Sequence, residues 1–342
     1  MSVPRIRDVA ALAGVAPSTV SVVLNGKATA RVSDDTRRRI HEAAEQLGYT
    51  PNVAARRLRT TPERAVAVVA EDDLSTLPYG LGLLDGLYRA CWEQGVRVLL
   101  LPTGGEPTRL RDALDHAAGQ QVSGTILASI YHRRIEAPRS RGLVLLNLET
   151  AQTDSPVTTV LPDERSMAAL VVDELCSLGH ERVGLVTIAP SLEAESRLAG
   201  LRAAWEQQGR TDDDLLVHVS PDFAATTAGG LEGALSLLDR PDRPTALACF
   251  SDRMAMGAYE AARRLGLRIP EDLTVIGHDN LEPIVESLHP PLTTVAPPHQ
   301  EMAEKAVELV LAAEAAPETF SLPGDLVRRD STARPAPQTR TR

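Results

Sequence analysis

Cysteine, lysine and aromatic residues are all scarce in this chain: of 342 residues, three are Cys, two are Lys and ten are Trp, Tyr or Phe. Cys91, Cys176 and Cys249 are odd in number and far apart, which excludes a disulfide framework or a paired-cysteine metal site. They read as reduced core residues, and the compartment as cytoplasmic. The lysine shortage reads as a coding bias without functional content. No apolar run approaches the ~18 residues of a membrane-spanning helix. The opening stretch Met1–Asp8 has no apolar core, so no secretory signal is expected. Phosphate-loop, nucleophile-elbow and HExxH patterns are missing. Gly80-Leu81-Gly82-Leu83-Leu84-Asp85-Gly86 looks like a dinucleotide loop, but its last spacing is one residue too long and it falls inside a predicted helix. We read it as helix packing. The eight histidines show no metal-ligand spacing. Asp252 and Asp279 could form a carboxylate pair, but nothing nearby supplies a nucleophile or acid. No metal, no cofactor and no enzymatic activity are expected.

What is present is an ordinary globular composition, 43% hydrophobic and 24% charged, in a length that suits two or three domains. The net charge of −10 hides a strong asymmetry. Residues 1–61 hold ten Lys/Arg against five Asp/Glu, and the rest of the chain 26 against 41. A small basic head on a large acidic body points to a polyanionic partner for the head alone.

In the head, Ile6, Val9, Ala10 and Ala13 fall on one face of a short helix that Gly14 stops. Pro17 suits the first position of a second helix reaching about Asn25, with Val20, Val23 and Leu24 inward. Ser33 is a good N-cap for a third helix, and Asp34 and Asp35 complement its dipole. Ile40, Ala43, Ala44 and Leu47 form its apolar face. Two short helices joined by a glycine turn and followed by a third make a helix-turn-helix unit. A plain three-helix packing unit has the same spacing. The basic charge and the small polar side chains of the second helix favour DNA.

Ile6-Arg7-Asp8-Val9-Ala10, Ala13-Gly14-Val15, Ser18-Thr19-Val20-Ser21, Val23-Leu24-Asn25-Gly26, Arg31-Val32-Ser33 and Leu47-Gly48-Tyr49-Thr50-Pro51-Asn52 closely resemble the lac-repressor/galactose-repressor family. The likeness runs on to about residue 332. It implies a ligand-responsive repressor, a homodimer on double-stranded DNA with a palindromic operator. Pro17, Ser18 and Val22 match the positions that read bases in the major groove. Thr19, Ser21, Asn25, Ser33 and Thr36 match phosphate contacts. Two departures matter. Many relatives carry Arg where this chain has Val22, so guanine readout is lost there. Many carry Ser where it has Ala16, a poor cap.

Residues 51–62 contain Val53-Ala54-Ala55-Arg56-Arg57-Leu58-Arg59. Taken alone they read as a basic linker, too short for a stable isolated helix. The resemblance implies a hinge helix that folds on DNA. Leu58 would wedge into the minor groove, Ala55 would sit where two hinges approach, and Arg56 would lie near phosphate.

Beyond residue 62, apolar runs at 65–70, 96–101, 124–128, 143–147, 183–188, 215–219, 245–250 and 273–277 alternate with amphipathic helices near 80–94, 108–121, 164–178, 194–208, 227–238 and 252–265. This alternation predicts parallel sheets with helices on both faces, in two lobes around a cleft. The expected fold class is therefore α/β: an all-α helix-turn-helix head (1–50), a hinge (51–62) and a two-lobed, periplasmic-binding-protein-like body (63–332) with doubly wound sheets. The resemblance places the first lobe at about 63–161 and 291–320, and the second at 162–290 and 321–332. Residues 333–342, polar and proline-broken, are expected to be disordered. They lack a leucine heptad, which argues for a dimer.

Several polar residues fall at predicted strand ends or helix starts. Asp279 reads as a turn Asp or as a ligand for two hydroxyls, and Arg197 as a solvated helix charge or a fork for vicinal hydroxyls. Tyr79 and Phe223 could stack on a ring or pack in the core. Matched to the family, Tyr79, Asn147, Arg197, Phe223, Ser251 and Asp279 are implied effector ligands. Ser251 stands where the family usually has Asn, and Gly80 where a second aromatic often follows Pro78-Tyr79. A sugar or glycoside is the implied effector, with a nucleoside or purine base second.

Overall fold

The computed structural model describes residues 4–24, 32–49, 64–72, 74, 78–136, 138, 140, 142–151, 156–221, 225–312 and 316–336, with only the backbone at 78 and 79. The chain divides into two compact units, Met1–Glu63 and Arg64–Arg342.

The first unit contains α1 (Ile6–Ala13), α2 (Pro17–Leu24) and α3 (Asp34–Leu47). Val9, Val20 and Ile40, one from each helix, are at most 0% exposed and form the centre of its core. The ends are fixed by local chemistry. Arg5 N donates to Asp8 Oδ2 at 2.7 Å, Ser33 Oγ accepts from Thr36 N, and Gly14 and Gly48 take left-handed conformations after α1 and α3. Arg39 adds one tertiary bond, donating to the Ala13 carbonyl at the end of α1. The expected end of α2 near Asn25 lies one residue outside the described segment.

The second unit has two sheets. The first contains β1 (Ala65–Ala70), β2 (Arg97–Pro102), β3 (Gly124–Ile135), β4 (Leu143–Thr150), β5 (Thr158–Pro162) and β11 (Thr319–Leu322), in the order β11-β5-β4-β3-β1-β2. All its pairings are parallel. The second contains β6 (Val183–Thr187), β7 (Leu215–Val219), β8 (Ala246–Cys249), β9 (Thr274–His278), β10 (Thr293–Ala296) and β12 (Asp325–Val327), in the order β12-β10-β9-β8-β6-β7. Only β12 runs antiparallel, on the edge. The apolar strands explain the layers: β1, β6 and β8 are buried almost throughout, as two-sided cover by helices requires.

Those helices are α4 (Pro78–Glu93) and α5 (Pro107–Gly119) on the first lobe, and α6 (Glu164–Leu178), α7 (Leu192–Gln207), α8 (Thr227–Leu238) and α9 (Asp252–Leu265) on the second. A short α10 (Ile284–Ser287) precedes β10, and α11 (His299–Ala312) returns to the first lobe to pack on α4. The glycine-rich stretch lies in α4, as packing. A Cβ on Gly82 or Gly86 would come within 2.8 Å of His299 or 2.7 Å of Ala303, so the two helices meet where side chains are absent.

The lobe assignment needs correction at the last crossovers. β10 pairs with β9, Thr293 opposite Ile276, so the chain leaves the second sheet after Ala296 and not before Pro291. β11 then completes the first sheet through Leu322. The reason is hydrogen bonding: Thr293 and Thr294 are fully buried and pair with β9, the Thr293 hydroxyl donates to the Arg329 carbonyl, and the Thr294 hydroxyl donates to Asp252. The tail is also tied further than expected. Ala333 accepts from His180 Nε2 at 2.9 Å and donates to Thr274 Oγ1 at 3.0 Å. Residues 337–342 lie outside the described segments.

Candidate functional site

In the head, α2 buries Val20 and Val23 and turns its N-terminal edge outward. Pro17 and Ser18 are exposed, and Thr19, Ser21 and Val22 are half-buried. The five predicted contacts on α2 that fall in described residues therefore lie outside the head core. Ser33 and Thr36 sit together at the start of α3, their hydroxyls 2.9 Å apart. Asn25, Ala55, Arg56 and Leu58 lie outside the described residues.

In the body, the carboxyl ends of the parallel strands supply the polar residues. α7, in the second lobe, packs against β3, in the first, so the two sets of strand ends meet across a cleft. On the first lobe, Asp72 follows β1 and accepts from Ser129 Oγ at 2.6 Å and from Arg133 at 3.1 Å. Asn147, near the end of β4, is 2% exposed and held at φ +58. Its Nδ2 donates to the Ser129 carbonyl at 3.2 Å, and its Oδ1 has no partner. A buried acceptor left this way costs about 1–3 kcal/mol.

On the second lobe, Arg197 is 6% exposed. Its Nε and Nη2 grip both oxygens of Glu164 at 2.8 and 3.1 Å. Nη2 also donates to Glu193 Oε1 at 2.9 Å, and Nη1 to the Phe250 carbonyl at 2.6 Å. The guanidinium lies 4.5 Å over the Phe250 ring. Burial opposes its charge, and the two glutamates outweigh that and raise its pKa. Four of the five N–H groups of a guanidinium are thus engaged, leaving one on Nη1. Arg197 works as a buried brace as much as an open fork.

Ser251 caps α9, accepting from Met254 N at 3.2 Å. Asp252 next to it is 1% exposed. Its carboxylate accepts from Thr294 Oγ1 at 2.6 Å and from Leu281 N at 2.7 Å. Desolvation pushes its pKa up to about 7 against those bonds. A Cβ on Gly277 would lie 2.1 Å from Asp252 Oδ1, so that position must be glycine. The clamp on Leu281 holds the preceding turn, where Asp279 and Asn280 take φ +106 and +49. Such non-glycine conformations cost about 1–3 kcal/mol each. Asp279 is half-buried, and its side chain accepts no hydrogen bond from any described residue. Desolvation and the Asp252 carboxylate raise its pKa well above the ordinary value. Burial also depresses His278, with Arg197 adding to the effect.

Arg197, Ser251 and Asp279 thus lie at neighbouring strand ends of one lobe, and Asn147 at a strand end of the other. The Phe223 position and the Tyr79 side chain lie outside the described residues. Glu164, Glu193, Phe250, Asp252 and His278 were not singled out as effector ligands from sequence. The only signal for Glu193 was its four-residue offset from Arg197 on one helix.

Two family models match the chain: bacterial regulatory proteins of the lacI family over residues 5–52, and a periplasmic binding protein-like domain over 172–332. The ribose operon repressor of Haemophilus influenzae is 31% identical, over 90% of each chain. The chain belongs to the lacI family of bacterial regulatory proteins. The transcriptional repressor PurR of Vibrio cholerae is 30% identical over 95% of this chain and 97% of its own. A solved CelR–cellobiose complex matches with TM-score 0.64 and 28% identity, covering 96% of this chain and 99% of that one. The lac repressor dimer bound to operator shares the fold, with TM-score 0.75 and 24% identity over 97% of this chain and 100% of that one. Membership in this family makes the chain a DNA-binding regulator rather than an enzyme. Among the described residues, no single helix is long and apolar enough to cross a membrane.

Proposed function

We propose that this lacI-family chain is a cytoplasmic repressor that binds a palindromic operator as a homodimer and is controlled by a sugar in the interlobe cleft. The outward edge of α2 carries this reading: Pro17, Ser18 and Val22 would face bases, and Thr19, Ser21, Ser33 and Thr36 phosphates. Ala55, Arg56 and Leu58 would form the hinge contact in the minor groove. Self-association is supported by α4, whose outer face shows Leu81, Tyr88 and Trp92 at 50%, 46% and 85% exposure. Large apolar side chains on one helix face suit a second copy of the chain. Trp92→Glu should convert dimers to monomers in sedimentation.

In the cleft, Asp279 and Asn147 would take hydroxyls, and Arg197 would contribute its remaining N–H. The ribose and cellobiose named for relatives support a sugar. A purine base is the second reading, favoured by the PurR relatives. A planar base would gain from stacking on an aromatic ring, and one face of the Phe250 ring is taken by Arg197. The test is to incubate the purified protein with fragments of its own genome and sequence what it retains. Enrichment of a palindrome is expected. No enriched sequence, with or without a panel of sugars and purines, would sink the proposal. Leu58→Ala is expected to weaken binding and abolish bending of the retained operator.

A further inference from the structure

Among the described residues, the strand ends that form the cleft carry more carboxylates than cations, and most N–H groups of the nearby cations are paired. In the first lobe Arg133 pairs with Glu71 at 3.0 Å and Asp72 at 3.1 Å, and Arg134 with Glu149 at 3.0 Å. In the second, Arg197 faces Glu164 and Glu193 with Asp279 in the same field, and Arg329, paired with Glu282 at 3.4 Å, acts on Asp252.

The unpaired atoms there include acceptors on both lobes and a guanidinium donor, the buried Arg133 Nε. Asp279 receives no hydrogen bond from a described residue, and Asn147 Oδ1 is buried and unpaired. His278, 2% exposed, has an unpaired Nε2 and lines the same small void of about 20 Å³ as Arg197 and Phe250. The half-buried Asp279 and the buried Asn147 Oδ1 are polar groups that a bound molecule would complete, and the void at His278 has room for about one water.

Resting on the effector reading above, we propose that the cleft admits polyhydroxyl ligands without an anionic group, accepts an amine-bearing one, and refuses phosphorylated or carboxylated ones. A phosphate needs a free guanidinium fork or a row of N–H donors. Here it would meet two separate donors, Arg197 Nη1–H and Arg133 Nε–H, among the acidic side chains Glu71, Asp72, Glu164, Glu193, Asp252 and Asp279. Hydroxyls or an ammonium instead supply the protons that Asp279 and Asn147 lack. Burial and neighbouring acids already hold the Glu193 carboxyl up to about 7, so the site draws protons in the absence of ligand.

The charge can be read without knowing the effector. Pro190 is exposed in the loop after β6, and Cys91 and Cys249 are buried. In the full-length dimer carrying Cys176→Ser and Pro190→Cys, the thiol is labelled with matched cationic and anionic methanethiosulfonates. Their rate ratio, normalised to a free thiol, is expected to favour the cation about tenfold at low salt and to shrink at high salt. Glu193→Gln should remove most of that preference, and Glu195→Gln little. A ratio at or below one overturns the proposal, as does a ratio indifferent to Glu193→Gln. Calorimetry with ribose, glucose, galactose and cellobiose, each beside its phosphate, acid and amino forms, supplies the second arm. A phosphate or acid binding as tightly as its parent also overturns the proposal. If no sugar binds, the sugar reading above falls, while the thiol ratio still decides the charge.

Discussion

Apart from Arg39 to the Ala13 carbonyl, the head's side-chain bonds span a few residues, whereas the cleft depends on bonds that span dozens. Arg5 to Asp8 and Thr36 to Ser33 are three-residue caps. Arg197 reaches Glu164 across 33 residues and the Phe250 carbonyl across 53, and Asp252 reaches Thr294 across 42. The charges follow the same division. Arg38 and Asp35, paired in the head, are each more than 60% exposed, whereas Arg197 and Glu164 in the body are 7% and 6%. Surface charge of the first kind contributes little to stability and is screened by salt. It remains free to be spent on a partner such as phosphate. Charge of the second kind is fixed in place and sets what the site can hold.

The largest expected break in this comparison comes from Arg197→Met. It leaves Glu164 and Glu193 buried without their cation, which typically destabilises by about 3–5 kcal/mol. Calorimetry should show the body melting earlier while the head keeps its own transition, and adding Glu164→Gln should recover part of the loss. No head arginine should behave this way. Next, Asp279→Ala should weaken effector binding by about two orders of magnitude, as loss of a charged hydrogen-bond acceptor does. Operator affinity without effector should be unchanged in fluorescence anisotropy. If operator affinity falls with it, Asp279 serves the fold and not the ligand. Smaller again, Ser33→Ala removes the cap of α3 and should cost the head about 1 kcal/mol. The melting of the body should not move.

The same division explains what could be read from the chain alone. Helix stops at Gly14 and Gly48, the cap at Ser33 and the strand at 65–70 depend on neighbours in sequence, and each is found where it was expected. β5, β10 and β11 are not legible as strands because their apolar signal is short and their stability comes from distant pairing. β10 was assigned to the wrong lobe for a related reason: a crossover is recognisable in sequence, but its sheet partner is not. The candidate ligands Asn147, Arg197, Ser251 and Asp279 were legible as polar residues at strand ends or helix starts. That Arg197 would be embraced by Glu164 was not, since nothing local links residues 164 and 197. Nor could composition reveal that the aromatic beside Arg197 is Phe250.

The response to pH separates the two kinds of charge most sharply. In the folded body the Glu193 carboxyl is held near 7 by desolvation, against an ordinary value of 4.5. Below pH 4.5 it is protonated folded or unfolded and contributes nothing to pH dependence. Between 4.5 and 7 the folded state keeps a proton that the unfolded state loses, so this group's contribution to stability falls as pH rises. Above 7 the loss is complete. Glu193→Gln cannot titrate, so its stability relative to the native chain should rise across that window, by up to about 1.4 kcal/mol per pH unit, and then level off. The buried His278 and His299, which oppose the trend by resisting protonation, are common to both proteins and cancel in the difference. Denaturant midpoints at pH 5, 6, 7 and 8 measure it. A difference that stays flat with pH would mean that Glu193 remains ionised throughout, held by Arg197 as an ordinary salt-bridge partner. The cleft would then carry its full negative charge without drawing a proton.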